Sequence, residues 1–330
     1  MITTGLGSWP GTDIATAVDQ VGEAFPDSPF LPELPARGQG ADLVGRTLGL
    51  VAELGFEPTA VGWATSAHRS RAQRRAWALL RDDLDIAAET LGDWSGPFHV
   101  TVAGPWTLAA LVGRGSGEAV LADPGACRDV AQAWLEGLRT WSRRVVGLLP
   151  GVGLAVQVDE PLLPAVARGD VRTASRLARH PVVEPERLAR AYAGLAGLAA
   201  AESWTDAVVH CCAPGLDVRP LAEAGFTAVS LDVATLDSAA RDRLADFHQR
   251  GGSLWLGVVP TERPAEPLPG VKSVLGPTLR LLEDLGVGPG ADRITLTPAC
   301  GLAGFGVGPA LATGRLLGQL AQAVEESAAG

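Results

Sequence analysis

The sequence places His210 and Cys212 two residues apart at the end of an apolar run, and Cys300 just after another. Side chains alternate faces along a strand, so His210 and Cys212 point one way and Cys211 the other. An imidazole, two thiolates and a carboxylate form a near-tetrahedral donor set suited to zinc. Asp232, which ends a further apolar run, is the candidate fourth ligand; an acid at that place also suits substrate binding. Zinc with a displaceable ligand takes up a thiol, lowers its pKa and presents it as thiolate at neutral pH. Four cysteines are too few for a disulfide scaffold. Cys127 and Cys211 are expected to be buried packing residues.

Carboxylates collect nearby. Asp159-Glu160-Pro161 follows the apolar run 154–158. Such a pair is costly there without a cation close by. It could hold a substrate ammonium, act as base, or orient His210 through its second ring nitrogen. The competing reading is a helix cap, with Pro161 in the first turn. Ser8 could donate to a substrate carboxylate or cap a turn. Glu33 lies in a Pro- and Gly-bearing stretch, as a loop acid facing solvent or one that closes over a bound amine. Trp9, Trp63 and Trp106 could line an apolar pocket.

These residues need a scaffold that brings strand ends together. Eight short, mostly apolar runs read as strands buried on both faces: 2–5, 59–62, 98–102, 154–158, 207–210, 228–231, 254–258 and 294–296. Amphipathic helical patterns alternate with them at 41–54, 71–91, 124–149, 184–202, 216–224, 238–250, 271–285 and 308–326. Eight such repeats predict an α/β fold, a (β/α)8 TIM barrel, whose active site lies at the C-terminal strand ends. Stretches 25–40 and 261–270 read as insert loops, and residues 1–330 as a single catalytic domain.

The formal charge is 27 − 37 = −10, which argues against nucleic acid as a partner. No apolar stretch is long enough to span a membrane, and the N-terminus has no signal-peptide pattern, so a cytoplasmic protein is expected. The single lysine, Lys272, is the only candidate for Schiff-base chemistry, and a P-loop is absent.

The set Thr3-Thr4-Gly5-Leu6-Gly7-Ser8-Trp9-Pro10, Gly104-Pro105-Trp106-Thr107, Gln157-Val158-Asp159-Glu160-Pro161, His210-Cys211-Cys212 and Thr297-Pro298-Ala299-Cys300-Gly301 resembles the catalytic barrel of the cobalamin-independent methionine synthase family. The wider superfamily, uroporphyrinogen decarboxylase-type barrels and corrinoid-dependent thiol methyltransferases, is also similar. The resemblance implies a zinc-dependent methyltransferase that moves a methyl group to a zinc-bound thiolate, homocysteine to methionine. His210, Cys212 and Cys300 would be the zinc ligands. Asp159 would bind the homocysteine ammonium, and Ser8 with the backbone of Leu6, Gly7 and Ser8 its carboxylate. Where the family has a glutamate ligand, this chain has the shorter Asp232. The chain matches the single-barrel form, so the methyl donor could be methylcobalamin, a corrinoid protein or methyltetrahydrofolate. Two further readings stay open: alkyl transfer to another small thiol, and a metal-free decarboxylase-like barrel in which Asp159 does the chemistry.

Overall fold

The computed structural model describes residues 1–115, 117–262, 267–288 and 292–329. Ten strands occur among them: β1 (Ile2–Thr3), β2 (Gly55–Thr59), β3 (Gly62–Ser66), β4 (Pro97–Ala103), β5 (Val112–Gly113), β6 (Gly153–Asp159), β7 (Asp206–Cys211), β8 (Ala228–Asp232), β9 (Ser253–Val259) and β10 (Ile294–Pro298). Seven form one parallel sheet in the order β1-β10-β9-β8-β7-β6-β4. Parallel strands buried on both faces need near-continuous apolar sequence, and Leu154–Val156 and Ala207–Val209 supply it.

The two outer strands of this sheet, β1 and β4, are joined through a short extended segment. Phe30 bridges His99 and Glu33 bridges Ser8, both in parallel sense. Backbone bonds follow: Leu31 N–H to the His99 carbonyl, Glu33 N–H to Gly7, and Trp9 N–H to Glu33. The stretch 25–40 is therefore not a loop added outside the sheet. Its middle supplies the link between the sheet's edges.

The run 59–62 is not a sheet strand either. It is the tip of an antiparallel hairpin between β2 and β3, in a separate three-stranded sheet with β5. Val61 is 97% exposed and Gly62 has φ +142°. An apolar run bounded by glycine is ambiguous between a buried strand and a tight turn, and here the turn wins. The predicted helix 184–202 is interrupted at Gly194, whose φ of +94° breaks it into Pro185–Arg190 and Leu195–Ala201. Helices Ile14–Ala24, Pro105–Leu111 and Leu163–Arg168 were not expected from periodicity; the last two are short and begin beside prolines. The predicted insert 261–270 lies in part outside the described residues.

Helix starts follow their caps. Asp13, Asp42, Ser70, Asp123 and Asp237 each accept a backbone N–H of the first turn with the side chain. The main core packs the helices on the sheet. On the opposite face of the sheet lies a small cluster of Leu6, Ala155, Val208, Ala228 and Trp255. Counting by twos from those residues reaches Gln157 and Asp159, then His210, then Ser230 and Asp232. This face therefore grows polar toward the strand ends. Among the described residues, no helix is long and apolar enough to cross a membrane.

Candidate metal centre

His210 is the last residue but one of β7 and is buried, with Cys212 one residue beyond the strand. Cys300 follows β10 by two residues. Strand twist and order bring these ends together: the Cys212 and Cys300 sulfurs lie 3.4 Å apart, and all three donor atoms fall within 4.8 Å of one another. His210 Nδ1 lies 2.9 Å from Ser230 Oγ, while its Nε2 is buried with no partner. A buried ring nitrogen without a partner costs free energy unless a proton donor or a cation meets it. One imidazole nitrogen and two sulfurs around one point are a donor set for a tetrahedral zinc with a fourth place open. The residues present thus fit the ion.

The two thiols behave as a pair sharing one proton. The hydrogen bond from Cys300 and the closeness of His210 hold the Cys212 thiol well below its ordinary range. The same Cys212 sulfur, with burial, pushes Cys300 up. Burial lowers the His210 pKa, but the closeness of Cys212 and the charges of Asp159, Cys212 and Asp232 outweigh this and leave it raised. Cys211 points away from the group and is 1% exposed, with its thiol pushed up to about 12 by burial. Cys127 is buried at the start of helix 124–148. Both were expected to be packing residues.

Asp232 does not join the group of three among the described residues. Its carboxylate caps the 3-10 turn Val233–Thr235, accepting the Ala234 N–H at 2.9 Å. The short side chain leaves the carboxylate beside its own backbone, where that cap captures it. It remains close enough to influence His210 electrostatically.

Asp159 ends β6 directly beside His210 of β7 in register. It accepts from Gln157 Nε2 at 2.7 Å, and burial raises its pKa to about 7, with Glu33 and Cys212 adding to the rise. Glu33 is 3% exposed: it accepts from Thr101 Oγ1 at 2.7 Å, and the Arg46 guanidinium stands 3.4 Å away. It is a fixed, buried carboxylate that Asp159 feels, not a mobile loop acid.

Glu160 has a different role from its neighbour. Its two oxygens accept from Trp106 N (3.0 Å), Thr107 N (2.7 Å), Thr107 Oγ1 (2.6 Å) and the Tyr192 hydroxyl. It is fully buried and carries the N-terminus of helix 105–111. A Cβ on Gly104 would run into this carboxylate, so the preceding turn requires glycine. The expected substrate-binding role for Glu160 is replaced by an anchoring one, because four donors already fill its oxygens.

Ser8 sits across the strand ends from these acids. A Cβ on Gly301 would collide with Ser8 Oγ, which places Ser8 against the residue that follows Cys300. Leu6 is buried beneath, and Gly7, at φ +84°, lies against Thr101, where a side chain would clash. Trp9 and Trp63 are buried packing residues rather than pocket walls. Ser230, Gln157, Thr101 and Arg46 complete the site and were not singled out in the sequence. Ser230 and Gln157 lie two residues from Asp232 and Asp159, and the period-2 rule would have found them; Thr101 on β4 and Arg46 on helix 43–50 carry no such signal.

Comparison with known proteins now bears on this arrangement. The family described as cobalamin-independent synthase, catalytic domain, matches residues 118–322, well over half of the chain. No curated protein matches it. A methyltransferase from Methanosarcina mazei is 15% identical over 99% of this chain and 94% of its own, with a TM-score of 0.55. A B12-independent methionine synthase from Shewanella sp. W3-18-1, solved in complex with selenomethionine, is 15% identical over 80% of this chain and 71% of its own, with a TM-score of 0.52. At that identity the two structures establish likeness of fold. The family match rests on sequence, covers His210, Cys212 and Cys300, and makes this chain a member of the cobalamin-independent synthase family through its catalytic domain.

Proposed function

We propose that the chain is a zinc-dependent thiol methyltransferase, that its acceptor is homocysteine and its product methionine, and that residues 1–330 work as one (β/α)8 catalytic unit. The observation that carries this reading is the unpartnered His210 Nε2 beside two half-buried sulfurs at the strand ends. Family membership supports methyl transfer as the reaction, and the bridges through Phe30 and Glu33 support closure of the sheet. His210, Cys212 and Cys300 would hold zinc; Asp232 is within electrostatic reach but is engaged as a cap. Zinc, when bound, supplies a Lewis acid that lowers the pKa of a substrate thiol.

The chain's own groups then bind and orient the amino acid. Asp159 and Glu33 are two buried carboxylates with pKa values raised chiefly by burial. An ammonium set between them relieves the burial and mutual repulsion of both. Ser8 Oγ, with the backbone of Leu6, Gly7 and Ser8, receives the carboxylate of the same molecule. Because Ser8 abuts Gly301, the carboxylate end is fixed in relation to the Cys300 sulfur. Holding both ends aims the thiol at the donor methyl, and that proximity supplies much of the rate. The donor, whether methylcobalamin, a corrinoid protein or methyltetrahydrofolate, would approach the open strand ends. Free thiols at the centre suit a reducing compartment, the cytoplasm.

The test is zinc per chain, with zinc-edge absorption spectra taken with and without homocysteine. One zinc that gains a sulfur neighbour on adding homocysteine supports the reading. Zinc indifferent to homocysteine moves the acceptor to another thiol. A metal-replete, reduced protein without zinc overturns it.

A further inference from the structure

A second pocket lies outside the metal centre. Helix 124–148 and the short helix Pro185–Arg190 meet beside Trp106 and enclose a cavity of about 430 Å³. Arg128, Arg187 and Arg190 line it together with Gln132, and no carboxylate does. This is a local inversion of charge in a chain of net charge −10. Several arginines elsewhere in the described residues pair with acids, among them Arg114 with Asp123, Arg143 with Glu202 and Arg241 with Asp284. Among the described residues, none of the three pocket arginines has a carboxylate within salt-bridge distance.

Arg187 is held by something other than an ion pair. The Arg187 guanidinium lies 5.8 Å from the centre of the Trp106 ring, stacked by cation–π attraction, and its Nη2 is buried without a partner. Trp106 is itself fixed, donating Nε1–H to the Leu188 carbonyl at 3.1 Å. Asp123, which begins the longer helix, is engaged by its own cap bonds and by Arg114 at 3.1 Å, so the nearby Arg128 acts on it only through space. Three like charges converging on one cavity repel, and an anion relieves that repulsion. Guanidinium groups bind planar or tetrahedral oxyanions through paired N–H donors. The remaining walls, Trp106 and Leu135 among them, suit an apolar body, and the volume is that of a small-molecule site.

We propose that this pocket binds a small organic ligand carrying a multiply charged oxyanion, a polycarboxylate or a phosphate ester. The inference does not depend on the metal centre. The pocket nevertheless communicates with it: Trp106 N–H donates to Glu160, the residue after Asp159. A ligand that shifts Trp106 therefore acts on the helix start that Glu160 anchors.

The experiment is calorimetric titration of the full chain at low salt, with inorganic pyrophosphate and, separately, with propane-1,2,3-tricarboxylate. One-to-one binding that weakens with salt is expected for at least one of the two. Arg128→Glu and Arg190→Glu, both at exposed positions, weaken it at least tenfold, and Arg81→Glu, an exposed arginine of another helix, leaves it unchanged. Preference for pyrophosphate assigns phosphate esters, and preference for the tricarboxylate assigns polycarboxylates. The same affinity in Cys212→Ser excludes chelation at the metal centre as its source. Binding of neither anion at millimolar concentration overturns the proposal. So does binding that both charge reversals leave unchanged, or that Cys212→Ser abolishes.

Discussion

His210 and Ser230 face each other across the β7–β8 pair, with Nδ1 and Oγ 2.9 Å apart. With Nε2 on a zinc ion, as proposed, Nδ1 would carry the ring proton and donate to the serine hydroxyl. The serine would thus fix both tautomer and ring orientation without touching the ion. Ser230→Ala is expected to lower zinc affinity about 10- to 100-fold, the usual cost of losing such a support. Competition against a colour-forming chelator measures it. Unchanged affinity would show that packing alone orients the ring.

The cysteines divide by face. Cys212→Ser and Cys300→Ser each remove a sulfur from the group within 4.8 Å and are expected to lose zinc and methyl transfer together. Cys211→Ser alters a buried side chain whose sulfur lies 3.7 Å from the Ala213 carbonyl, and should keep full zinc content. Metal analysis of the three purified variants decides the assignment. A zinc-loaded, active Cys212→Ser protein would remove Cys212 from the ligand set.

Glu160 is a different matter, since its carboxylate gathers four donors from two separate segments. Glu160→Ala leaves buried N–H and O–H groups unpaired and is expected to cost about 3–5 kcal/mol of stability. Urea unfolding followed by circular dichroism measures the loss. A cost below about 1 kcal/mol, the scale of a single ordinary hydrogen bond, would contradict the anchoring role.

Much of this centre was legible in the sequence because its grammar is local. His210 and Cys212 are two residues apart on a strand, and alternation alone predicts that they share a face. Seven of the eight expected strands take their places in the parallel sheet for the same reason: continuous apolar runs have few other homes. The misreadings concern non-local competition. Asp159 and Glu160 look equivalent as letters, yet one lies beside His210 and the other is captured by a helix start beyond Gly104. Asp232 reads as a ligand or a substrate-binding acid from its place after an apolar run, whereas its capping of the next turn depends on backbone geometry that the letters do not record. Phe30–Glu33 contains Pro32, is flanked by Pro29 and Pro35, and shows no strand-like alternation. Its pairing with Gly7, Trp9 and His99 is set by the sheet edges it joins, which no local pattern records.

Gly301 offers a probe of the amino-acid end of the site. A methyl group there meets Ser8 Oγ and its Cβ, so Gly301→Ala must displace Ser8, Cys300 or both. Overpacking of this kind costs about 1–3 kcal/mol. If Ser8 positions the substrate carboxylate, KM for homocysteine rises about tenfold or more while zinc content is retained, because the lost interaction belongs to ground-state binding. A fall in kcat with unchanged KM would instead place the damage at the thiols.

The last prediction concerns acid stability and lies at the other end of the sheet. His99 is 1% exposed, held between Phe30 and Trp255 at ring separations of 5.2 and 5.1 Å, with neither nitrogen hydrogen-bonded. Burial drives its pKa down to about 3, whereas in the unfolded chain it titrates near its ordinary 6.5. Between those values the unfolded state binds a proton that the folded state does not, so stability falls as pH falls through this window. From pH 6.5 to 4.5 this one residue withdraws about 2–3 kcal/mol, at about 1.4 kcal/mol per pH unit. His99→Phe keeps an aromatic ring between its two neighbours and removes the titration. Urea unfolding of both proteins at pH 7 and pH 4.5 therefore should show the wild type losing more stability than the variant, by that amount. Equal losses would mean that the imidazole takes its proton in the folded state, through water reaching it from the N-terminal ends of the strands.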